Sequence, residues 1–351
     1  MSIFPGLILA LILAFGGQWL SNLVGVTWMG LPKSPISAIM MAILLGILIR
    51  NTVKLPAMFQ PGIRFGLVRV LRLGIVLLGI RLSVSEAGTI GLKSLPVIIG
   101  AITAALLIVT YFSRRVGLTD RLGTLIAVGT SICGATAIVA TAPAIGAKDD
   151  EVSYSVACVT LFGVIAMLIY PFAAHALFAA DPFRSGLFLG TAVHETAQVA
   201  GSGLVYEQYY GNPEALNVAT VTKLVRNLGM LLVIPLMSIL YHRKASEGGE
   251  APKWYSMIPL FVIGFACMSL LRTIGDLGDK PFGIMDAGQW KTIVSWIKEA
   301  AEICLAIAMA SVGLGTSIRG LVAIGFKPLG VGLFSAVLVG VVSFTLISIL
   351  Y

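Results

Sequence analysis

The chain has 351 residues, of which 58% are hydrophobic and 11% are charged, with a mean hydropathy of +0.97 and a formal net charge of +8. About a quarter of the residues of a soluble domain are charged, so this composition excludes a soluble protein. The basic balance indicates Lys and Arg in loops on one membrane face rather than binding to nucleic acid. We therefore predict an all-α membrane protein in a lipid bilayer.

Hydropathy divides the chain into apolar stretches close to the length that a membrane span needs, which is about 20 residues. The predicted helices cover 3–20, 35–50, 67–81, 94–112, 121–146, 152–179, 184–205, 215–241, 254–272, 297–315 and 328–350. That makes about eleven transmembrane helices. The connections between them are short, so we expect a single polytopic transmembrane domain over 1–351. We expect the first helix to be retained, because it lacks the basic flank and cleavage site of a signal peptide.

Lys and Arg are divided unevenly between the alternate loops of this arrangement. Positively charged loops stay in the cytoplasm, so the bias predicts a cytoplasmic N-terminus and a C-terminus outside the inner membrane. Two smaller polar features have predicted structural roles. The polar stretch 273–296 is predicted to hold a short interfacial helix near Trp290, and Arg81 is predicted to pair locally with Glu86.

Glycines and hydroxyl residues break the fifth predicted helix near its middle. A broken helix exposes backbone N–H groups that favour anions and carbonyls that favour cations. Close helix packing through small residues is the alternative explanation. The candidate binding residues in this break are Gly129, Thr130, Ser131, Cys133, Gly134 and Thr136.

A second polar interruption lies in the seventh predicted helix, over 190–203. Ionisable side chains inside a membrane segment are costly, so they indicate function. Histidine suits a proton relay because it titrates near neutral pH, and a buried, hydrogen-bonded histidine is the alternative. Gln198 stands where a zinc protease motif needs a second histidine, so neither a metal site nor a catalytic residue is predicted. The candidate residues here are His194, Glu195, Thr196 and Gln198.

The eighth predicted helix carries cations that could supply a counter-charge. Lys223, Arg226 and Asn227 have the spacing i, i+3, i+4 and share one helix face. Lys223 and Arg226 are therefore candidate binding residues, and an arginine fork suits an oxyanion. Two alternatives stay open: the cations could extend to the membrane interface, or Arg226 could neutralise Glu195.

A short internal similarity predicts inverted repeats. The segment 128–134 resembles 314–320, five predicted spans later, so the two run in opposite directions. Five-helix repeats over 35–179 and 184–350, preceded by an extra helix in 1–20, would produce this pattern. A second, weaker match implies a different frame, so at most one frame is right. The two interrupted helices run parallel in this count, so either one is a re-entrant hairpin or their likeness is only compositional.

Three segments, 74–82, 131–137 and 194–199, carry a resemblance that extends over nearly the whole chain. In them the sequence resembles a bacterial family inferred to export sulfate. Members often carry His-Asp-Thr-Ser where residues 194–197 of this chain read His-Glu-Thr-Ala. The resemblance implies an anion transporter. It also implies a distant similarity to sodium/proton antiporters and bile-acid symporters, which have inverted five-helix repeats and crossed, broken helices at the midplane.

The sequence predicts a secondary active transporter of the inner membrane. It would export a small inorganic or sulfur-containing oxyanion, similar to sulfate, by alternating access. No ATP-binding loop is visible, so the coupling ion is predicted to be H⁺ or Na⁺. The alternatives are a cation/proton antiporter with Glu195 as cation ligand, a sodium-coupled organic-anion symporter, and a membrane-embedded hydrolase using Ser131 or His194. We expect no enzyme activity, cofactor or nucleic-acid partner, and homo-oligomerisation is left open.

Overall fold

The computed structural model of the protein describes residues 3–28, 37–242, 259–277, 281–317 and 326–351. Every regular element within these ranges is a helix, which confirms the all-α prediction. The α-helices, numbered α1 to α16 in chain order, are Phe4–Asn22, Ala38–Thr52, Gln60–Phe65, Leu71–Leu78, Val84–Ala104, Thr110–Val116, Asp120–Ser131, Ala135–Thr141, Asp149–Leu177, Pro182–Ala192, Thr196–Tyr210, Glu214–Leu228, Met230–His242, Leu260–Gly275, Ala287–Gly315 and Phe326–Leu350.

Two helices, α5 and α15, begin earlier than the sequence predicted, because side chains cap their first turns. Ser83 and Glu86 exchange hydrogen bonds between side chain and backbone at the start of α5. Asp286 and Gln289 form the same arrangement at the start of α15. The prediction of a separate short helix within 273–296 is therefore wrong, because its last ten residues are the first turns of the long helix α15.

Five helical runs in the described ranges are long and apolar enough to cross a membrane. They are Phe4–Asn22, Val84–Val116, Asp149–Leu177, Glu214–Tyr241 and Phe326–Leu350. Helices α2 and α14 are apolar but shorter. The interrupted helices fall short because each break divides one span into two pieces. These runs support a multi-pass membrane protein, and the number of eleven spans stays a prediction. The predicted helix 254–272 begins outside the described residues.

The chain forms two compact units whose segments alternate along the sequence. Unit 1 comprises Met1–Thr89, Leu204–Pro213 and Leu260–Ile318. Unit 2 comprises Ile90–Gly203, Glu214–Pro259 and Arg319–Tyr351. Each unit thus contains residues from both predicted repeat halves, and the repeat itself stays a prediction. The segment 314–320, which resembles 128–134, is described only as far as residue 317, and its last three residues lie outside the described residues.

Unit 2 contains both breaks and α12, so all the candidate residues belong to it, while the second half of α11 belongs to unit 1. Its apolar core surrounds the first break with side chains from α5, α7, α8, α9 and α13. Among them are Ile98, Leu125, Ile132, Ile138, Val159 and Ile234. This packing holds the unwound backbone in place, which matters because irregular backbone in a membrane has to be enclosed by protein.

Unit 1 contains a buried ion-pair cluster around Arg81, whose side chain is 5% exposed. Its guanidinium donates to both carboxylate oxygens of Glu207, at 2.8 and 3.0 Å, and to Glu302 at 2.5 Å. The predicted local pair with Glu86 is wrong. Glu86 instead accepts hydrogen bonds from the backbone and hydroxyl groups of Ser83, which commits it to capping α5.

Candidate functional site

Two helices of unit 2 are unwound over three residues each. Helix α7 ends at Ser131 and α8 begins at Ala135, whereas α10 ends at Ala192 and α11 begins at Thr196. Each break leaves carbonyl groups without helical partners at the end of the first half and N–H groups at the start of the second. The carbonyl ends carry partial negative charge and the N–H ends partial positive charge.

Gly134 allows the two breaks to meet. Its φ of +69° lies in the region that favours glycine, and a Cβ atom there would lie 2.3 Å from Cγ of Glu195. The Glu195 carboxylate accepts hydrogen bonds from the N–H of Ala135 at 3.4 Å and from the hydroxyl of Thr160 at 3.2 Å. The carboxylate of the second break therefore contacts the start of the helix that follows the first break.

Arg226 is fully buried and binds carbonyl groups at the C-terminal ends of α7 and α10, the helices that precede the two breaks. Its Nε donates to the carbonyl of Ser131 at 2.6 Å, and its Nη1 donates to Thr191 at 2.7 Å and Val193 at 2.9 Å. Its Nη2 donates to the carbonyl of Thr130. A cation at the C-terminal end of a helix is stabilised by the partial charges of those carbonyls, so Arg226 holds α7 and α10 together.

Lys223 binds the same unwound backbone from one turn earlier on α12. It is also fully buried, and its ammonium donates to Ile132 at 2.8 Å, to Val193 at 3.3 Å and to the carbonyl of His194. The i, i+3 spacing places both cations on the face of α12 that meets the breaks. Because neither Lys223 nor Arg226 has exposed surface, neither extends to an interface.

The two cations are not paired directly with the carboxylate between the breaks. Within the described residues, no ion pair joins Glu195 to Lys223 or Arg226. All three ammonium donors of Lys223 and most of the guanidinium donors of Arg226 bind backbone carbonyls. Their role toward a ligand would thus be through their charge rather than through a free arginine fork.

Helix α9 supplies contacts that the sequence analysis missed. Gln198 donates from Nε2 to the carbonyl of Thr160 at 3.1 Å and accepts the N–H of Glu195 at 3.1 Å. A Cβ at Gly163 would lie 1.9 Å from Oε1 of Gln198, so the glycine makes room for this amide. Thr160 therefore binds both Gln198 and Glu195. Its only sequence signal is that it is the single hydroxyl residue in the apolar stretch 156–169 of α9.

Two buried side chains at the second break carry polar atoms without a partner. His194 is 1% exposed, and neither ring nitrogen forms a hydrogen bond with any described residue. Asn227, also 1% exposed, donates from Nδ2 to the hydroxyl of Thr196 at 3.3 Å, while its Oδ1 has no partner in the same residues. Buried polar groups are nearly always hydrogen-bonded, so these atoms require an explanation.

Ser131 and Cys133 form local contacts. The Ser131 hydroxyl donates to the carbonyl of Val128 at 3.2 Å. No hydrogen bond joins it to His194 within the described residues, so the structure offers no support for a nucleophile–base pair. The thiol of Cys133 donates to the thioether of Met230 at 3.5 Å, inside the apolar core.

The other candidates of the first break have structural contacts or face outward. The carbonyl of Gly129 accepts the N–H of Gly134 at 2.9 Å, which closes the break. The Thr130 hydroxyl forms a hydrogen bond of 3.1 Å with Ser335 of α16. Thr136 is exposed on α8. The structure thus brings the residues near the two breaks together and leaves Thr136 at their outer edge.

Comparison with known proteins shows the family of this chain. A family model described as "Conserved hypothetical protein 698" matches residues 5–332. The chain belongs to this family. A UPF0324 membrane protein of Streptococcus agalactiae is 32% identical over 346 residues, covering 99% of this chain and 97% of the relative. Another from Agrobacterium fabrum is 33% identical over 330 residues, covering 93% and 86%.

A third UPF0324 membrane protein, from Fusobacterium nucleatum, is 32% identical over 303 residues and 85% of each chain. These relatives confirm that the chain belongs to a bacterial family of multi-pass membrane proteins. Their names state a membrane location and no transported ion. The resemblance to sulfate exporters, antiporters and symporters therefore stays a prediction.

Proposed function

We propose that this family member is a secondary active transporter that exports a small inorganic or sulfur-containing oxyanion across the inner membrane. The observation that carries the proposal is the charge at the two breaks, 132–134 and 193–195. We call these breaks, together with the face of α12 that binds them, the crossing. Two fully buried cations, Lys223 and Arg226, lie there with one carboxylate, Glu195. Buried charge of this kind is costly in a membrane protein unless it serves a function.

The helix ends do not cancel this excess of positive charge. Two C-terminal ends and two N-terminal ends meet at the breaks, and each is equivalent to about half a charge of opposite sign. Their contributions therefore offset one another. Two cations less one carboxylate give a formal charge of +1, which favours an anion over a cation.

Alternating access is supported by the form of the fold. Interrupted helices with exposed backbone ends are the elements that bind ions in secondary transporters. All the candidate residues lie in unit 2, so this unit can carry a bound ion as one body. Glu195 and Thr196 are half-buried, which leaves the site accessible on that side. Export, coupling to H⁺ or Na⁺, and a cytoplasmic N-terminus follow from the family resemblance and the loop charges.

A cation/proton antiporter is the second candidate, because one observation favours it. The Glu195 carboxylate lies 3.2 Å from the Thr160 hydroxyl, and carboxylate and hydroxyl oxygens are ligands for hard cations. In that mechanism Glu195 would exchange a proton for the cation, and the positive charges would only stabilise the backbone.

Flux measurements in proteoliposomes distinguish the two candidates. Labelled sulfate, sulfite and methanesulfonate are supplied with and without a pH or sodium gradient, and Na⁺/H⁺ exchange is followed in parallel with a pH-sensitive dye. We expect gradient-driven anion flux that exceeds the flux in protein-free liposomes. In these flux measurements Glu195→Gln should still transport the anion, whereas Lys223→Ala and Arg226→Ala should abolish anion flux.

Matched controls separate binding defects from misfolding. Ser343→Ala removes a buried hydroxyl on α16 that has no partner in the described residues, so its flux should equal that of the wild type. Each variant is first checked for a monodisperse profile and for its unfolding midpoint. Cation exchange that disappears in folded Glu195→Gln, with no flux of any anion in the wild type, would contradict anion transport and support the antiporter.

A further inference from the structure

The unpartnered atoms at the second break define what a ligand there has to provide. They are both ring nitrogens of His194 and Oδ1 of Asn227. Asn227 is tied to this break through its hydrogen bond to Thr196, and His194 is tied to it through the bond from Lys223 to its carbonyl. The atoms therefore belong to the same short segment and to the α12 face that carries the two cations.

Counting donors and acceptors narrows the ligand chemistry. A third positive charge beside Lys223 and Arg226 would be repelled, so the imidazole is neutral and offers one donor and one acceptor. Asn227 adds an acceptor through Oδ1. An oxyanion without protons could satisfy only the imidazole N–H. A ligand that also carries an O–H group can donate to the imidazole nitrogen or to Asn227.

The net charge of the crossing also restricts the ligand that can bind there. Lys223 and Arg226 less Glu195 leave +1, which a monoanion neutralises. A dianion would leave −1 inside a buried site, at a cost in electrostatic free energy. The charge therefore favours a monoanion, and the hydrogen-bonding groups favour a ligand that also carries an O–H group.

We propose that the crossing binds a singly charged oxyanion that keeps a hydroxyl proton, such as hydrogen sulfite or dihydrogen phosphate. Sulfate is disfavoured because it carries two charges and no proton near neutral pH. This inference rests on the proposed transport of anions and specifies the ligand class within it. The imidazole N–H donates to an anionic oxygen, and the ligand O–H donates to the imidazole nitrogen or to Oδ1 of Asn227.

Equilibrium binding to the purified full-length protein tests the proposal with probes that separate charge from proton. Dihydrogen phosphate and hydrogen sulfite, at mildly acidic pH, are monoanions with an O–H group. Methanesulfonate is a monoanion without one, and sulfate is a dianion without one. We expect the first pair to bind about tenfold more tightly than methanesulfonate, since a buried acceptor stays unpaired with the latter. Sulfate should bind most weakly.

Variants locate the preference on the two side chains. Asn227→Ala and His194→Ala should reduce the ratio of dihydrogen phosphate to methanesulfonate affinity toward one, while methanesulfonate affinity changes less. His194→Gln keeps a donor and an acceptor and should retain part of the ratio. Ser343→Ala should leave the ratio unchanged, because Ser343 lies on α16, which is neither an interrupted helix nor α12. The unfolding midpoint shows which variants are folded.

The outcomes separate the two levels of the proposal. Sulfate that binds as tightly as dihydrogen phosphate, or an unchanged ratio in folded Asn227→Ala, would overturn the ligand class and leave anion transport standing. A folded wild-type protein that binds none of the four probes, and that moves none of them in liposomes, would overturn the proposed function together with this inference.

Discussion

Arg226 and Arg81 are both buried, yet the two units of the molecule satisfy them in different ways. Arg226 in unit 2 binds carbonyl oxygens of two interrupted helices. Arg81 in unit 1 binds the carboxylates of Glu207 and Glu302. Carboxylates carry full charges, whereas helix ends carry about half a charge each. The two carboxylates therefore more than balance the charge of Arg81. Lys223 and Arg226, in contrast, outnumber the one carboxylate beside them, Glu195, so that site keeps a positive charge that an anion can use.

The contrast shows why buried charge alone does not identify a binding site. An arginine paired with carboxylates has its charge balanced by the protein, as Arg81 has, although the Nε of Arg81 has no partner within the described residues. An arginine bonded to backbone carbonyls has its hydrogen bonds satisfied and its charge left over. The following substitutions test this difference, from the largest expected effect to the smallest.

Replacing Arg226 with Met should have the largest effect. The change leaves the carbonyls at the ends of α7 and α10 without donors in a buried site, and each unpaired group costs about 1–3 kcal/mol. We expect a loss of at least about 3 kcal/mol in the free energy of unfolding, measured by denaturant titration in detergent. Arg115→Met, at an exposed arginine bonded to Tyr111, is the matched control and should have no effect. Equal stability of the two variants would contradict the role of Arg226 in holding α7 and α10 together.

Gly134→Ala should cost about 2 kcal/mol. Alanine is strained at a φ of +69°, and its Cβ would overlap the Glu195 side chain. Anion binding should fall as well, because the carboxylate has to move. Gly330→Ala is the control, since a Cβ at Gly330 meets nothing within 4 Å. The unfolding midpoint and the anion affinity are measured for both; a loss no larger in Gly134→Ala than in the control would show that the break tolerates a side chain.

Arg81→Met should cost about 1–3 kcal/mol, less than Arg226→Met, because Glu302 is half exposed and water can replace one partner. The double variant Arg81→Met/Glu207→Gln should recover part of this loss, since it leaves no unpaired buried charge. Anion affinity should stay at the wild-type level in both. An anion affinity that falls as far as in the Arg226 variant would remove the distinction between the two arginines.

Thr160→Val should have the smallest effect, about 1 kcal/mol, because it removes one hydrogen bond to Glu195 and keeps the backbone carbonyl that binds Gln198. Thr160→Ser should restore the bond. Thr345→Val is the control, at an exposed hydroxyl that bonds only to its own helix. Stability is measured as before, and a serine variant no better than valine would show that the hydroxyl does not position the carboxylate.

Much of the candidate site could be predicted from local sequence, but its hydrogen-bond partners could not. The i, i+3 spacing of Lys223 and Arg226 predicts one helix face, and the glycines predict the breaks. Their acceptors lie 29 to 96 residues away in the chain, so no local pattern contains them. The sequence favoured an arginine fork facing a ligand or a pair with Glu195, whereas the structure uses the donors on carbonyls. Thr160 was missed for the same reason.

The sequence by itself determined that this protein is an all-helical, multi-pass membrane protein with polar groups at 129–136 and 194–198. Lipid offers no hydrogen bonds, so an apolar chain of this length has to satisfy its backbone within helices. Only the tertiary structure decided how the polar residues are satisfied. Packing of α12 against the two breaks directs both cations to the carbonyl ends. Among the described residues it leaves one carboxylate there, Glu195, and it leaves the unpaired atoms of His194 and Asn227 at the second break.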